Sequence, residues 1–352
     1  MKLRILLVAP EDCTTRGVIG GYCRRALEAL GNEVSVYDFR RYPYSNTAFI
    51  SCIKSVVRPI FPSLPSPYDI PAVKSAVNRN INKGLADFAR AYKPDLLLAL
   101  LGENIMPETL KAVKMTGTVT ANWLFDTLHS SRSMTIAKEG RHDYDHLFVI
   151  DDPAALKYLG LDVANIHTLP LACDPEIHRR VDLYGSDVAF IGTVTPERER
   201  ILSCLSGLDL KIWGRWQRRL PEIRKCYRKK DIYSGEAVKV YNASKIILDC
   251  HGLFYSGKRI FNVTPRVFEV PASGGFVLTN YAPQVSNLYK IGEEMAVYKD
   301  EDEMMALIKY YLSHDDEREG MAKKAHDRAH KEHTYRGRLK GLLETVFNGR
   351  VI

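Results

Sequence analysis

Apolar and polar positions along this chain alternate between two patterns: short continuous apolar runs, and longer stretches in which apolar residues recur at helical spacing. The first run, residues 4–9, reads as a strand buried on both faces. A loop containing Gly17, Gly20 and Gly21 follows, then a helix through Tyr22, Ala26 and Leu30 and a strand over residues 33–37, which together make a β-α-β unit. A second unit begins with Ile81, Leu85, Phe88 and Tyr92 on one helical face, breaks at Lys93-Pro94-Asp95 and enters a strand over residues 96–101. Further strands are expected at residues 118–122 and 146–150. The alternation lapses from about residue 169 to 187, and Asp187-Val188-Ala189-Phe190-Ile191-Gly192 then opens a new strand-Gly-helix unit. Strands at 210–213, 245–248, 276–278 and 296–298 follow, and helices over 301–312, 315–331 and 338–347 close the chain. Alternation of this kind implies the α/β class, with parallel sheets covered by helices on both faces.

Residues 46–71 interrupt the pattern. Ile50, Ile53, Val56, Val57, Ile60 and Phe61 lead there into a Pro/Ser-rich stretch, which reads as an insertion. Its apolar face either packs on the domain or is offered to an acceptor or a membrane, with Lys54 and Arg58 beside it. A chain of 352 residues exceeds what one core usually supports, so two domains are expected. The lapse in alternation divides it into 1–170, a linker over 171–186, a second domain over 187–334, and a closing helix over 335–352 that could return to the first domain.

Composition changes this picture little. With 45% hydrophobic and 26% charged residues the chain is an ordinary globular one. Its longest apolar runs are too short to cross a bilayer, and Met1 to Ala9 lacks a small-residue cleavage site, so the expected location is cytoplasmic, with the inner membrane face as a peripheral site. Seven cysteines, none spaced Cys-x-x-Cys, indicate neither a disulfide framework nor a zinc site, and no metal ligands are assigned. A net charge of +8 favours anionic partners such as nucleic acid, acidic lipid or phosphate-bearing substrates. The run from Arg215 to Lys230 concentrates that charge beside Trp213 and Trp216. No RNA-binding motif accompanies it, so it reads as a solvated basic face that could meet an anionic membrane or acceptor without reading nucleic-acid sequence.

Chemistry gathers at a few places. Pro265 to Asn280 reads as a helix carrying Arg266 and Glu269 one turn apart, broken by Gly274-Gly275 and followed by a buried strand. Arg266 can neutralise phosphate and Glu269 can accept from ribose hydroxyls; the other reading is a surface ion pair beside a tight turn. Gly20-Gly21 sits where backbone N–H groups could approach a phosphate at a helix start, although a plain tight turn explains it equally well. The same two readings apply to Gly192-Thr193, six residues before Arg198. Asp126 and His129 lie after a strand, where parallel sheets keep their working groups, and could orient a sugar hydroxyl or remove its proton; such residues also serve as caps. The pair Asp143 and Asp145 precedes a strand and reads as structural.

Taken in order, Gly20-Gly21, Asp126 after Trp123, Phe190-Ile191-Gly192 with Arg198, Trp213-Gly214-x-Trp216 and Arg266-x-Phe268-Glu269 with Gly274 resemble the GT-B glycosyltransferases, and within them the spore-maturation CgeB-like group. Asp143-Tyr144-Asp145 leading to Phe148-Val149-Ile150-Asp151, and Leu169 to Pro175, carry the same resemblance. It implies two Rossmann-like domains facing across a cleft, a nucleotide-diphosphate sugar as donor (UDP or dTDP ahead of GDP), a glycan, protein or lipid-linked acceptor, and no further cofactor. By that resemblance Glu269 binds ribose, Arg198 and Arg266 offset the diphosphate charge, Gly192, Thr193 and Gly274 belong to the donor site, and Gly20-Gly21 meet the diphosphate from the other domain. Where retaining family 4 enzymes carry a second Glu, eight residues before Glu269, this chain has Phe261. A retaining, metal-independent transfer is expected; an inverting one would use Asp126, then His129, as base. Two other readings are a nucleotide-sugar epimerase of the same fold and a non-catalytic polyanion- or membrane-binding protein.

Overall fold

In a computed structural model the chain is described over residues 2–11, 15–39, 71–181, 183, 185–215, 220–228, 231–251 and 262–348. It separates into two compact units, Met1–Leu169 with Leu339–Ile352, and Pro170–Arg338. The proposed insertion at 46–71 lies outside the described residues up to Pro71, where a helix begins.

The first unit is built on a parallel sheet in the order β2-β1-β3-β4-β5-β6. The strands are β1 Arg4–Val8, β2 Glu33–Tyr37, β3 Leu96–Leu100, β4 Val119–Leu124, β5 His146–Val149 and β6 Ile166–Thr168. Central β3 is buried along its whole length, as a strand covered on both faces must be, while edge strand β2 keeps Glu33 exposed. The short polar edge strand β6 has no apolar run to announce it, and the sequence reading does not contain it. Nor does it contain the helices Pro107–Lys114, Ser131–Asp143 and Pro153–Tyr158.

One local expectation is corrected. Gly20 and Gly21 are not in a loop but within the helix Thr15–Ala29. The glycine at 20 is explained by packing, because a Cβ there would lie 3.1 Å from Ala9 Cβ and 3.3 Å from the Pro10 carbonyl oxygen. At Gly21 the nearest neighbour of such a Cβ is Arg25, at 3.8 Å.

The second unit carries a parallel sheet in the order β11-β10-β9-β7-β8, formed by β7 Val188–Ile191, β8 Leu210–Trp213, β9 Ile246–Asp249, β10 Val277–Asn280 and β11 Ala296–Tyr298. Phe190, Leu248, Leu278 and Tyr298 sit in its core with helix residues Ile201, Met304 and Ile308. The seven-residue helix Arg266–Ala272 ends in a Schellman arrangement: Gly275 N–H donates to Val270 O and Gly274 N–H to Pro271 O, with Gly274 at φ +80°. A Cβ at Gly275 would stand 2.8 Å from the Tyr241 carbonyl oxygen, so the Gly-Gly pair both stops the helix and lets the neighbouring helix Ser234–Ala243 approach.

Candidate functional site

Strand order locates one crevice in each sheet, because ligands of open parallel sheets bind beyond the strand carboxyl ends where the order reverses. In the second sheet that reversal falls between β7 and β9. Two arginines cross it. Arg266 donates through Nε to Asp249 Oδ1 at 2.8 Å and through Nη1 to the Ile191 carbonyl at 2.7 Å, joining the ends of β9 and β7. Arg198, on the helix Pro196–Ser203 capped by Thr195, donates through Nε and Nη2 to the Cys250 carbonyl and through Nη1 to the Thr193 carbonyl. Both guanidinium groups lie beside the Phe190 ring, 5.6 and 5.7 Å from its centroid.

Asp249 organises this group, and it was absent from the sequence-based candidates. It is buried, and besides Arg266 it accepts from the hydroxyls of Thr264 at 2.8 Å and Thr279 at 3.0 Å. Burial works to raise its pKa, but Arg266 and the hydroxyl donors outweigh that, and the carboxyl is held below its usual range. The legible signal was an acid closing the apolar run Ile246-Ile247-Leu248. Burial, reinforced by neighbouring Arg266, lowers the pKa of Arg198, which meets backbone carbonyls but no carboxylate among the described residues. Among the described residues, two guanidinium groups therefore stand with one carboxylate at this crevice.

Gly192 lies in this crevice at φ +152°, where a Cβ would come 3.3 Å from Arg266 Nη1. Its N–H donates to the Trp213 carbonyl at 2.9 Å, so it provides room and not a donor; exposed Thr193 follows it. Glu269, three residues along the helix from Arg266, is not its partner: Glu269 Oε2 accepts from Tyr241 Oη at 3.0 Å. Gly274 is not brought to the group. It caps the opposite end of the helix, with Arg180 side-chain carbons 3.3 Å and more from where its Cβ would be.

In the first sheet the order reverses between β1 and β3. The crevice there is lined by Val8, Pro10, Leu100, Leu101, Gly102 and Glu103. Leu101 and Gly102 both take positive φ, +70° and +58°, and a Cβ on Gly102 would strike the side chains of Asn122 and Tyr144. Asp126 and His129 lie one strand further, in the loop after β4. Asp126 is exposed and accepts from the Thr127 N–H; His129 is half-buried. The anchor of this loop is Asp151, buried at the end of β5, which accepts from Leu128 N–H at 3.0 Å and Thr127 Oγ1 at 3.2 Å. Burial pushes its carboxyl up to about 6. Asp145 accepts from Thr120 N–H and pairs with Lys114 at 2.8 Å. From the basic run, Arg215 pairs with Asp231 at 3.1 Å; residues 216–219, 229 and 230 lie outside the described residues. Among the described residues no helix is long and apolar enough to cross a membrane.

Residues 197–344 match a family model described as glycosyl transferase-like. A comparison with curated protein sequences finds no match. Among solved structures, Anabaena Alr3699/HepE in complex with UDP and glucose is similar at 10% identity and a TM-score of 0.64, over 98% of this chain and 100% of that one. Sucrose-phosphate synthase from Thermosynechococcus elongatus is similar at 10% identity and a TM-score of 0.67, over 99% and 100%. AviGT4, a glycosyltransferase of avilamycin A biosynthesis, is similar at 13% identity and a TM-score of 0.62, over 98% and 97%. Two parallel-sheet α/β units, with most of the glycosyl transferase-like segment in the second, give this chain the GT-B fold of these glycosyltransferases.

Proposed function

We propose that the protein is a retaining, metal-independent glycosyltransferase that moves a sugar from a nucleotide-diphosphate sugar, a UDP- or dTDP-sugar ahead of a GDP-sugar, to a glycan, protein or lipid-linked acceptor. The observation that carries the reading is the crossing of the β7/β9 crevice by Arg198 and Arg266, of which Arg266 pairs with Asp249 and Arg198 meets backbone carbonyls but no carboxylate among the described residues. As the bond from the anomeric carbon to the donor's phosphate oxygen breaks, negative charge grows on the leaving diphosphate, and fixed cations in a poorly solvated crevice stabilise it. Arg198 supplies such a cation. Arg266, locked by Asp249, supplies a rigid wall, and Gly192 and Thr193 admit the phosphates. Glu269 accepts from the ribose hydroxyls. Asp126 and His129 orient the acceptor. In a retaining transfer the departing phosphate oxygen takes the acceptor proton, so no protein nucleophile is required.

The glycosyl transferase-like match over 197–344 supports this, since it contains Arg198, Arg266 and Glu269, as does the UDP held by HepE in the same fold. Calorimetry with UDP, dTDP and GDP, followed by a nucleotide-release assay on the corresponding sugars with EDTA present, tests it. Binding of UDP or dTDP that weakens in Arg198→Ala, with turnover preserved in chelator, is expected. No binding of any nucleoside diphosphate at millimolar concentration would sink the reading. Isomerisation of the donor with no acceptor present would assign the chain to epimerase chemistry.

A further inference from the structure

Glu269 has a hydroxyl donor on one side and an imidazole beyond hydrogen-bond distance on the other, and the two belong to different segments of the second unit. Tyr241, almost fully buried on the helix Ser234–Ala243, donates its hydroxyl to Glu269 Oε2 at 3.0 Å. His178, equally buried, places Nε2 at 4.0 Å from Glu269 Oε1. The tautomer of that imidazole follows from its other side: Nδ1 accepts the Asp174 N–H at 2.9 Å, so the ring proton sits on Nε2 and faces the carboxylate. Burial lowers the pKa of His178, which keeps the ring neutral near neutral pH.

The two segments are tied to each other. Asn242, next to Tyr241, accepts from Val181 N–H at 2.9 Å and donates to the Arg179 carbonyl, fastening the segment after His178 to the helix that carries Tyr241. The segment before His178 is held by a bridge in which Cys173 N–H donates to His333 O and Tyr335 N–H donates to Cys173 O. Asp249 takes Arg266, the cation one turn away, as its own partner, and the Glu269 side chain is 17% exposed. A neutral hydroxyl donor orients a carboxylate without competing for it as a cation would, and an oriented carboxylate is what a pair of ribose hydroxyls requires.

We propose that Tyr241 and His178 are positioning residues that hold the Glu269 carboxylate in the orientation that recognises the ribose of a nucleotide donor. The proposal rests on the assignment of Glu269 to ribose. Its test separates the two by calorimetry on the full-length protein with UDP, 2′-deoxy-UDP and 3′-deoxy-UDP, melting temperature being followed for each variant. The wild type is expected to prefer UDP over at least one deoxy analogue by about tenfold, the range of one hydrogen bond to a charged acceptor. Glu269→Ala abolishes the preference. Tyr241→Phe reduces it to about threefold or less by weakening UDP alone, with turnover at saturating donor changed less than affinity. His178→Leu does the same, while His178→Gln, which can accept from Asp174 and donate to Glu269, restores the preference. A Tyr241→Phe protein that keeps the full preference, or that weakens UDP and both analogues equally, overturns the positioning role. A wild type with no preference for UDP overturns the ribose assignment itself, and the positioning role with it.

Discussion

The crevice of the second sheet and that of the first occupy equivalent places in two parallel sheets, yet they are furnished oppositely. Beyond β7 and β9 the chain buries a carboxylate, sets two half-buried arginines beside it and ties their guanidinium groups to the carbonyls of Ile191 and Cys250. Beyond β1 and β3 the lining is mainly apolar, the backbone turns through two positive φ residues, and the acid nearest the candidate chemistry, Asp126, stands in solvent. The contrast teaches a division of labour. Buried charges are costly to assemble, so a crevice that fixes them in advance suits a ligand whose charge is constant, such as a diphosphate. An apolar lining with exposed polar groups suits a ligand recognised by shape and a few hydroxyls.

The comparison breaks most severely at Asp249. Asp249→Ala strands Arg266 and the hydroxyls of Thr264 and Thr279 in the core, and a loss of about 3–5 kcal/mol is expected in urea unfolding; a loss under about 1 kcal/mol would mean the pair is not a structural anchor. The buried acid of the first unit gives a smaller, pH-dependent effect of opposite sign. Because burial raises Asp151 in the folded state, its contribution to stability is present in full below about pH 4 and is lost as pH rises through about 6. The difference amounts to about 3 kcal/mol. Unfolding curves across that window should show the decline in the wild type and its absence in Asp151→Asn.

Arg198→Ala comes next. It removes a guanidinium that meets no carboxylate among the described residues, and kcat/KM should fall about a hundredfold, near 2.7 kcal/mol, with the melting temperature shifted far less than in Asp249→Ala. An unchanged kcat/KM would show that Arg198 is structural only. The smallest effects contrast two adjacent glycines. Gly20→Val crowds Ala9 and Pro10 and should cost about 1–3 kcal/mol. Gly21→Val has room and a helical backbone, so its stability should stay within about 0.5 kcal/mol of wild type. A loss at Gly21→Val as large as that at Gly20→Val would show that contact with Ala9 and Pro10 does not explain the glycine at 20.

Much of the architecture was legible. Runs such as Leu96 to Leu100 and Ile246 to Leu248 can only be covered strands, and Ile81, Leu85, Phe88 and Tyr92 can only share a helix face, because period is a local property of the chain. Edge strand β6 was not legible, since Ile166-His167-Thr168 carries no period of its own and exists by pairing with β5. The chemistry divides in the same way. Arg198, Arg266 and Glu269 announce themselves by residue type near glycines and strand ends, whereas their partners lie far away in sequence.

What the chain determined by itself was therefore the alternation and the kinds of charge available along it. Only the tertiary structure decided that Arg266 belongs to Asp249 and Ile191 rather than to Glu269, that Asp151 anchors the loop of Asp126 and His129, that Gly20 meets Ala9, and that Gly274 stops a helix instead of lining the crevice. Backbone periodicity is settled within a few residues of sequence. Which carboxylate a buried guanidinium meets is settled by strand order, and strand order emerges only when the whole sheet is assembled.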